Sequence, residues 1–300
     1  MFNHPVILAC TDFSSHSDLT LKAADKLRRS CGGKLYVAHI SEPIAELEVT
    51  GHSVRPMLDQ REIIDIIYRN IKSKVLEQIK SLGIEAEPVF SIGVREDEIY
   101  RLIESRNIDI LMMGYSEGNT LEKFFTGSLT QKILNDSPVP VWVVKKPNQI
   151  TKVVALVDDS ETTEEVISSA EELSYLLDSE FEVVSVIQDY PVMFSSYASE
   201  YSALYMSQTQ EEQGKVIEKI KEKIFNLVTD KTNTRIRVEV TREDKIADAL
   251  VNILSEDHAN LAVMGSHHKN FLDRLLLGSE TKQVLEKFEG NIVVLPAHES

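Results

Sequence analysis

Cysteine is scarce: Cys10 and Cys31 are the only two in 300 residues. A pair so placed supplies neither a disulfide framework nor the close spacing of a zinc site, and so few thiols suit a reducing compartment. Long apolar runs are missing as well. No window approaches eighteen consecutive apolar residues, so no membrane-spanning helix is expected. The first ten residues carry no basic stretch followed by an apolar run of signal length, which makes the cytoplasm the expected location. Basic charge is outnumbered, with 32 Lys and Arg against 48 Asp and Glu. A net charge of −16 repels a phosphate backbone instead of releasing its counterions, so direct nucleic-acid binding is not expected. Also absent are a Gly-x-Ser-x-Gly elbow, a Gly-Lys-Ser/Thr phosphate loop and a His-Glu-x-x-His helix. A dedicated enzyme is therefore not expected.

What the chain does contain is an internal repeat. Ile110-Leu111-Met112-Met113-Gly114 recurs as Leu261-Ala262-Val263-Met264-Gly265, and Gly127-Ser128 recurs at the same distance as Gly278-Ser279. Lys145 to Gln149, polar and carrying Pro147, separates the copies, which predicts a first domain over 1–149 and a second over 150–300. The first half has 18 basic and 20 acidic residues and the second 14 and 28, so the copies have diverged in surface chemistry.

Each half alternates apolar runs with helical periods. Strands are expected at Val6 to Cys10, Lys34 to Ile40, Pro88 to Ile92, Asp109 to Met113 and Val139 to Val144. The second copy offers Val153 to Val157, Glu182 to Ile187, Arg235 to Val240, Leu261 to Met264 and Ile292 to Leu295. Between them, Leu19, Ala23, Ala24 and Leu27 mark a helix after the cap candidates Ser14 and Ser17, and Ile63, Ile67, Ile71, Val75 and Ile79 mark a longer one. Uniformly apolar strands separated by helices indicate an α/β protein with two tandem doubly wound parallel five-stranded sheets, of the Rossmann-like kind.

In such sheets a ligand lies beyond the carboxyl ends of the strands where the strand order reverses, which directs attention to Thr11-Asp12-Phe13-Ser14 and to the turn from Gly114 to Ser128. Gly114, Gly118 and Gly127 let backbone N–H groups approach a phosphate, and Ser128 opens a helix whose N-terminus favours an anion. The same glycines also serve as ordinary turn and cap residues, and Asp12 and Asp158 as helix caps. His39 and the adjacent His267-His268 have no carboxylate neighbours at ligand spacing, so no metal is expected. Tyr197, Tyr201 and Tyr205, four residues apart, form a packing stripe on a helix.

Strand, Asp12-Phe13-Ser14 turn, helix, a second strand ending in His39-Ile40, then Met113-Gly114, Gly127-Ser128 and a Pro140-Val141 strand together resemble the universal stress protein family, over both copies. The resemblance implies a fold like that of the adenine nucleotide α-hydrolases and ATP or AMP as a ligand, with or without Mg²⁺. It places Thr11, Asp12 and Ile40 around the base, Met113 and Gly114 beside the ribose, and Gly127, Ser128, Leu129 and Thr130 around the phosphates. The family's middle glycine position is Glu117 here, with Gly118 displaced by one. A weaker second site follows from the same resemblance at Asp158, Val186, Gly265, Gly278 and Ser279, where Glu280 and His268 depart from the pattern. The implied role is a cytoplasmic stress-response protein with nucleotide as a regulatory ligand, any ATP hydrolysis being slow and incidental. The alternative is a nucleotide-free interaction or scaffold protein. Family members often dimerise through the last strand. Here Val139 to Val144 is expected to meet Ile292 to Leu295 across a pseudo-twofold, as an intramolecular pseudo-dimer, with a further homodimer and the protein partners left open.

Overall fold

The structure, a computed structural model, describes residues 2, 4–42, 60–115, 127–146, 149–158, 160, 162–188, 202–231, 233–241, 245–266 and 279–296. The first half runs β1 (Val6–Cys10), α1 (Ser15–Cys31), β2 (Lys34–Ser41), α2 (Gln60–Leu82), β3 (Glu87–Ile92), α3 (Arg95–Arg106), β4 (Ile110–Gly114), α4 (Gly127–Asp136) and β5 (Val141–Val144). The second runs β6 (Lys152–Val157), α5 (Thr163–Leu176), β7 (Glu180–Gln188), α6 (Ser202–Leu227), β8 (Thr234–Thr241), α7 (Ile246–Glu256), β9 (Leu261–Gly265), α8 (Ser279–Lys287) and β10 (Asn291–Leu295). All ten expected strands are present. Tyr197 and Tyr201 lie outside the described residues, and no described helix is long and apolar enough to cross a membrane.

The chain folds as two compact units. In the first, β1 pairs in parallel with β2 and β4, β2 with β3, and β4 with β5, giving the order β3-β2-β1-β4-β5. In the second, β6 pairs in parallel with β7 and β9, and β7 with β8. The physical reason is burial. Ile7, Leu8 and Ala9 of β1 and all of Ile110 to Met113 in β4 are fully buried, and β6 is buried along its whole length. Strands covered on both faces need crossover helices on both sides, and these pack in pairs, α1 with α2 and α3 with α4.

Local signals set the element ends. Ser14 caps α1 by accepting the Ser17 N–H at 3.2 Å. At the other end Gly32 takes φ +66° and returns its N–H to Arg28. The next residue is glycine for a different reason, since a Cβ on Gly33 would stand 2.4 Å from the Pro5 carbonyl.

Strand β10 falls with the first unit although it ends the second repeat. It pairs antiparallel with β5, Ile292 opposite Val143 and Val294 opposite Val141, which is the strand contact expected from the sequence. Asn291, almost fully buried, fastens the ladder's end. Its Oδ1 accepts the Lys145 N–H at 2.8 Å and the Lys146 N–H at 3.2 Å, and its Nδ2 donates to the Lys146 carbonyl. Replacing it strands two backbone donors. Asn291→Ala is expected to lower stability by about 1–3 kcal/mol in urea unfolding. The readout is the fluorescence of Trp142, the single tryptophan, which stands opposite Val293 in this ladder. An unchanged midpoint would show that the clamp is idle.

Candidate functional site

The carboxyl ends of β1 and β2 and the first turns of α3 enclose a cleft lined by Cys10, Thr11, Asp12, Ala38, His39, Ile40, Arg95 and Ile99. Three residues expected around a base, Thr11, Asp12 and Ile40, are thus brought together. The turn after β1 is held tightly. Thr11 donates its N–H to the Ala38 carbonyl, and its hydroxyl lies 2.9 Å from Ser17 Oγ and 2.8 Å from Gln78 Oε1. Asp12 Oδ1 accepts the Ser14 N–H at 2.9 Å, so Asp12 closes the turn and Ser14, not Asp12, caps the helix. Phe13 sits at φ +65° with its ring 4.4 Å from that of His39.

His39 serves the fold here. Its Nδ1 lies 2.8 Å from the Thr11 carbonyl, a bond that ties β2 to the turn. Among the described residues no three His, Cys, Asp or Glu side chains gather as metal ligands do. Cys10 is fully enclosed, and burial pushes its thiol up to about 12, so it stays protonated and unreactive at neutral pH. The free interior of the cleft is about 10 Å³, the room of a single water.

Next to β1, β4 delivers Met113 and Gly114. Met113 is fully buried. Gly114 backs onto α1, where a Cβ would meet Thr20 Oγ1 at 3.2 Å. Gly118 lies outside the described residues, whereas Gly127 and Ser128 open α4. Leu129 is buried in that first turn. So is Thr130, at 0% exposure, and its hydroxyl has no hydrogen-bond partner. A buried hydroxyl left so is uncommon.

The second unit answers differently at the same place. Asp158, exposed, accepts the Ser160 N–H just as Asp12 accepts that of Ser14, and Val186 is half-buried in β7. Gly278 lies outside the described residues and Ser279 opens α8. Thr281 corresponds to Thr130, but its hydroxyl donates to the Gly265 carbonyl at 3.1 Å. The position unpartnered in the first unit is satisfied within the protein in the second.

Arg95 and Ile99 are not among the site residues expected from the sequence; both enter the cleft from α3, whose first residue is Arg95. The signal available was the repeat itself, which sets Arg95 against Ile246.

The fold class is thus an α/β protein with two successive doubly wound units. The universal stress protein family model matches twice, over residues 4–145 and 149–296, and the chain belongs to that family, as a tandem member. Universal stress protein MJ0577 of Methanocaldococcus jannaschii is 24% identical over 157 residues, 47% of this chain and 95% of that protein. The crystal structure of a universal stress protein from Archaeoglobus fulgidus is 18% identical with a TM-score of 0.63, covering 99% of this chain and 98% of that one. A functionally unknown protein of Pseudomonas aeruginosa, PA1789, gives 16% identity and a TM-score of 0.65, covering 98% of this chain and 93% of its own. These structures share the fold along the whole chain.

The two threonines provide an internal comparison. Thr130→Val replaces an unpartnered hydroxyl with a methyl of similar size and is expected to leave urea stability unchanged or raise it. Thr281→Val, which orphans the Gly265 carbonyl, is expected to cost about 1 kcal/mol. Equal losses in both variants would contradict the assignment.

Proposed function

We propose that the first unit binds an adenine nucleotide, ATP or AMP, as a regulatory ligand of a cytoplasmic stress response. One observation carries this reading: the unpartnered, fully buried hydroxyl of Thr130 in the first turn of α4, across the strand-order reversal from the Thr11-Asp12-Ile40 cleft. The donor set suits the ligand. The backbone N–H groups that open α4 and the Thr130 hydroxyl supply hydrogen bonds to phosphate oxygens. Ile40 and Ile99 supply apolar contact for a base, and Asp12 an acceptor. Gly127 opens α4, and a carboxylate placed there would repel a phosphate. A divalent ion bound with the nucleotide would supply charge neutralisation. The residues of this chain bind and orient.

The small free interior favours a second reading, a nucleotide-free interaction protein, in which the closed cleft is the working state. Equilibrium binding of labelled ATP, with and without Mg²⁺, separates the two. The nucleotide reading expects saturable binding by the full chain, a rise in Tm with ATP by mass action, and a loss of at least about tenfold in affinity for Gly127→Asp, the scale of one charged hydrogen bond. Neither binding nor a Tm rise would leave the scaffold reading standing, and affinity indifferent to Gly127→Asp would remove the phosphate assignment.

A further inference from the structure

The two units share one backbone and line it with different chemistry. Their ladders keep the same register: Cys10 stands opposite Ala38 as Leu156 stands opposite Val184, and Ile7 opposite Ile110 as Val153 opposite Leu261. Counting from these pairs, Thr11 and His39 of the first unit correspond to Val157 and Ser185 of the second. Helices α3 and α7 align from their ends, where Ile108 donates its N–H to the Ile103 carbonyl and Ala259 to that of Leu254. Arg95 then corresponds to Ile246, each the first residue of its helix. Lys245, one residue before Ile246, is exposed.

Three polar positions of the first cleft wall have therefore changed together in the second unit, to a valine, a serine and an isoleucine. The fourth difference lies across the crevice, where Thr281 has its hydroxyl on Gly265 while Thr130 has no partner. Three of these four differences, Val157 on β6, Ile246 on α7 and the bonded hydroxyl of Thr281 on α8, leave fewer groups to hold a polar ligand, while Ser185 on β7 keeps a hydroxyl.

Resting on the nucleotide reading above, we infer that the chain holds one adenine nucleotide and not two, and that Arg95 contacts its base. Arg95 is the longest and most flexible side chain of the cleft wall. Glu42, at the exit of β2, lies 3.6 Å from its Nε. A base entering a space now the size of a water must displace a side chain, and this guanidinium can leave Glu42 and lie flat against the heterocycle. A planar, delocalised cation stacks on an aromatic face in a way that an ammonium does not. Ile40 and Ile99 complete an apolar wall around the same base, and Ile246 gives the second unit no such cation.

Isothermal titration of the full chain with ATP is the test. One site per chain is expected. Two equivalent sites would overturn the inference while leaving nucleotide binding intact, whereas no binding at all would overturn the nucleotide reading itself. Arg95→Ile, which writes the second unit's residue into the first, is expected to weaken ATP by about tenfold with Tm unchanged in the absence of nucleotide. Arg95→Lys keeps the charge, removes the planar group and should lose severalfold, and it serves where the isoleucine variant is unstable. Unchanged affinity in both variants would remove Arg95 from the site. Ile246→Ala is expected to leave the single site untouched, and its loss there would move the ligand to the second unit and overturn the inference.

Discussion

Strand β1 is hydrogen-bonded on both sides, to β2 on one and β4 on the other. The chain reaches those neighbours by crossovers on opposite faces of the sheet, so the turns that follow β1 and β4 diverge and leave a crevice. The candidate ligand residues of the first unit that the structure describes hang from this arrangement. Thr11 and Asp12 leave β1, Ile40 lies at the end of β2, Gly114 ends β4, and α4 follows it in the chain. The burial that holds β1 between its neighbours, with Ile7, Leu8 and Ala9 excluded from water, is what keeps the crevice in place. In the second unit β6 lies between β7 and β9 in the same register.

A shared backbone leaves the side chains free to diverge, and the opposite end of the strands shows how far they have done so. In the first unit Tyr36 lies under two cations, Lys34 Nζ at 4.6 Å and Arg106 at 5.2 Å from its ring. The corresponding residue of the second is Glu182, fully buried, approached by Lys152 Nζ at 2.5 Å and Arg235 Nε at 3.4 Å, though neither carboxylate oxygen gains an aligned hydrogen bond. Asp257 and Arg237 extend the cluster at 2.7 Å. Lys152 is itself nearly buried, so its loss strands the Glu182 charge at a cost of about 3–5 kcal/mol, whereas Arg235 stands largely in water. The second unit thus carries a buried ionic cluster at the end of its strands away from the crevice, where the first has a tyrosine under two cations.

The strands were legible because burial on both faces writes an uninterrupted apolar run, and the repeat doubled the signal. Their polar ends were not, since Ser41, Lys152 and Asn291 join strands for reasons of pairing and side-chain bonding that no local run displays. The helix cap at Ser14 was legible, while the division of labour between Ser14 and Asp12 depends on turn geometry. Within the site, residues named for their place in a motif were found in the cleft where the motif belongs to a strand end, as with Thr11, Asp12 and Ile40. Arg95 was hidden because it enters from a helix far along the chain. The unpartnered state of Thr130 is a tertiary fact, and its counterpart Thr281 shows that the same residue at the same spacing carries the opposite message.

Of the two threonine hydroxyls, that of Thr130 is unpartnered and that of Thr281 is bonded within the protein, and the proposed anion site uses the first. Amide hydrogen exchange of the full chain with and without ATP, followed in peptides spanning the first turns of α4 and α8, tests it most directly. Slowed exchange on ATP at 127–130 with no change at 279–282 is the expected result. Equal slowing at both turns, or slowing confined to α8, would contradict the account.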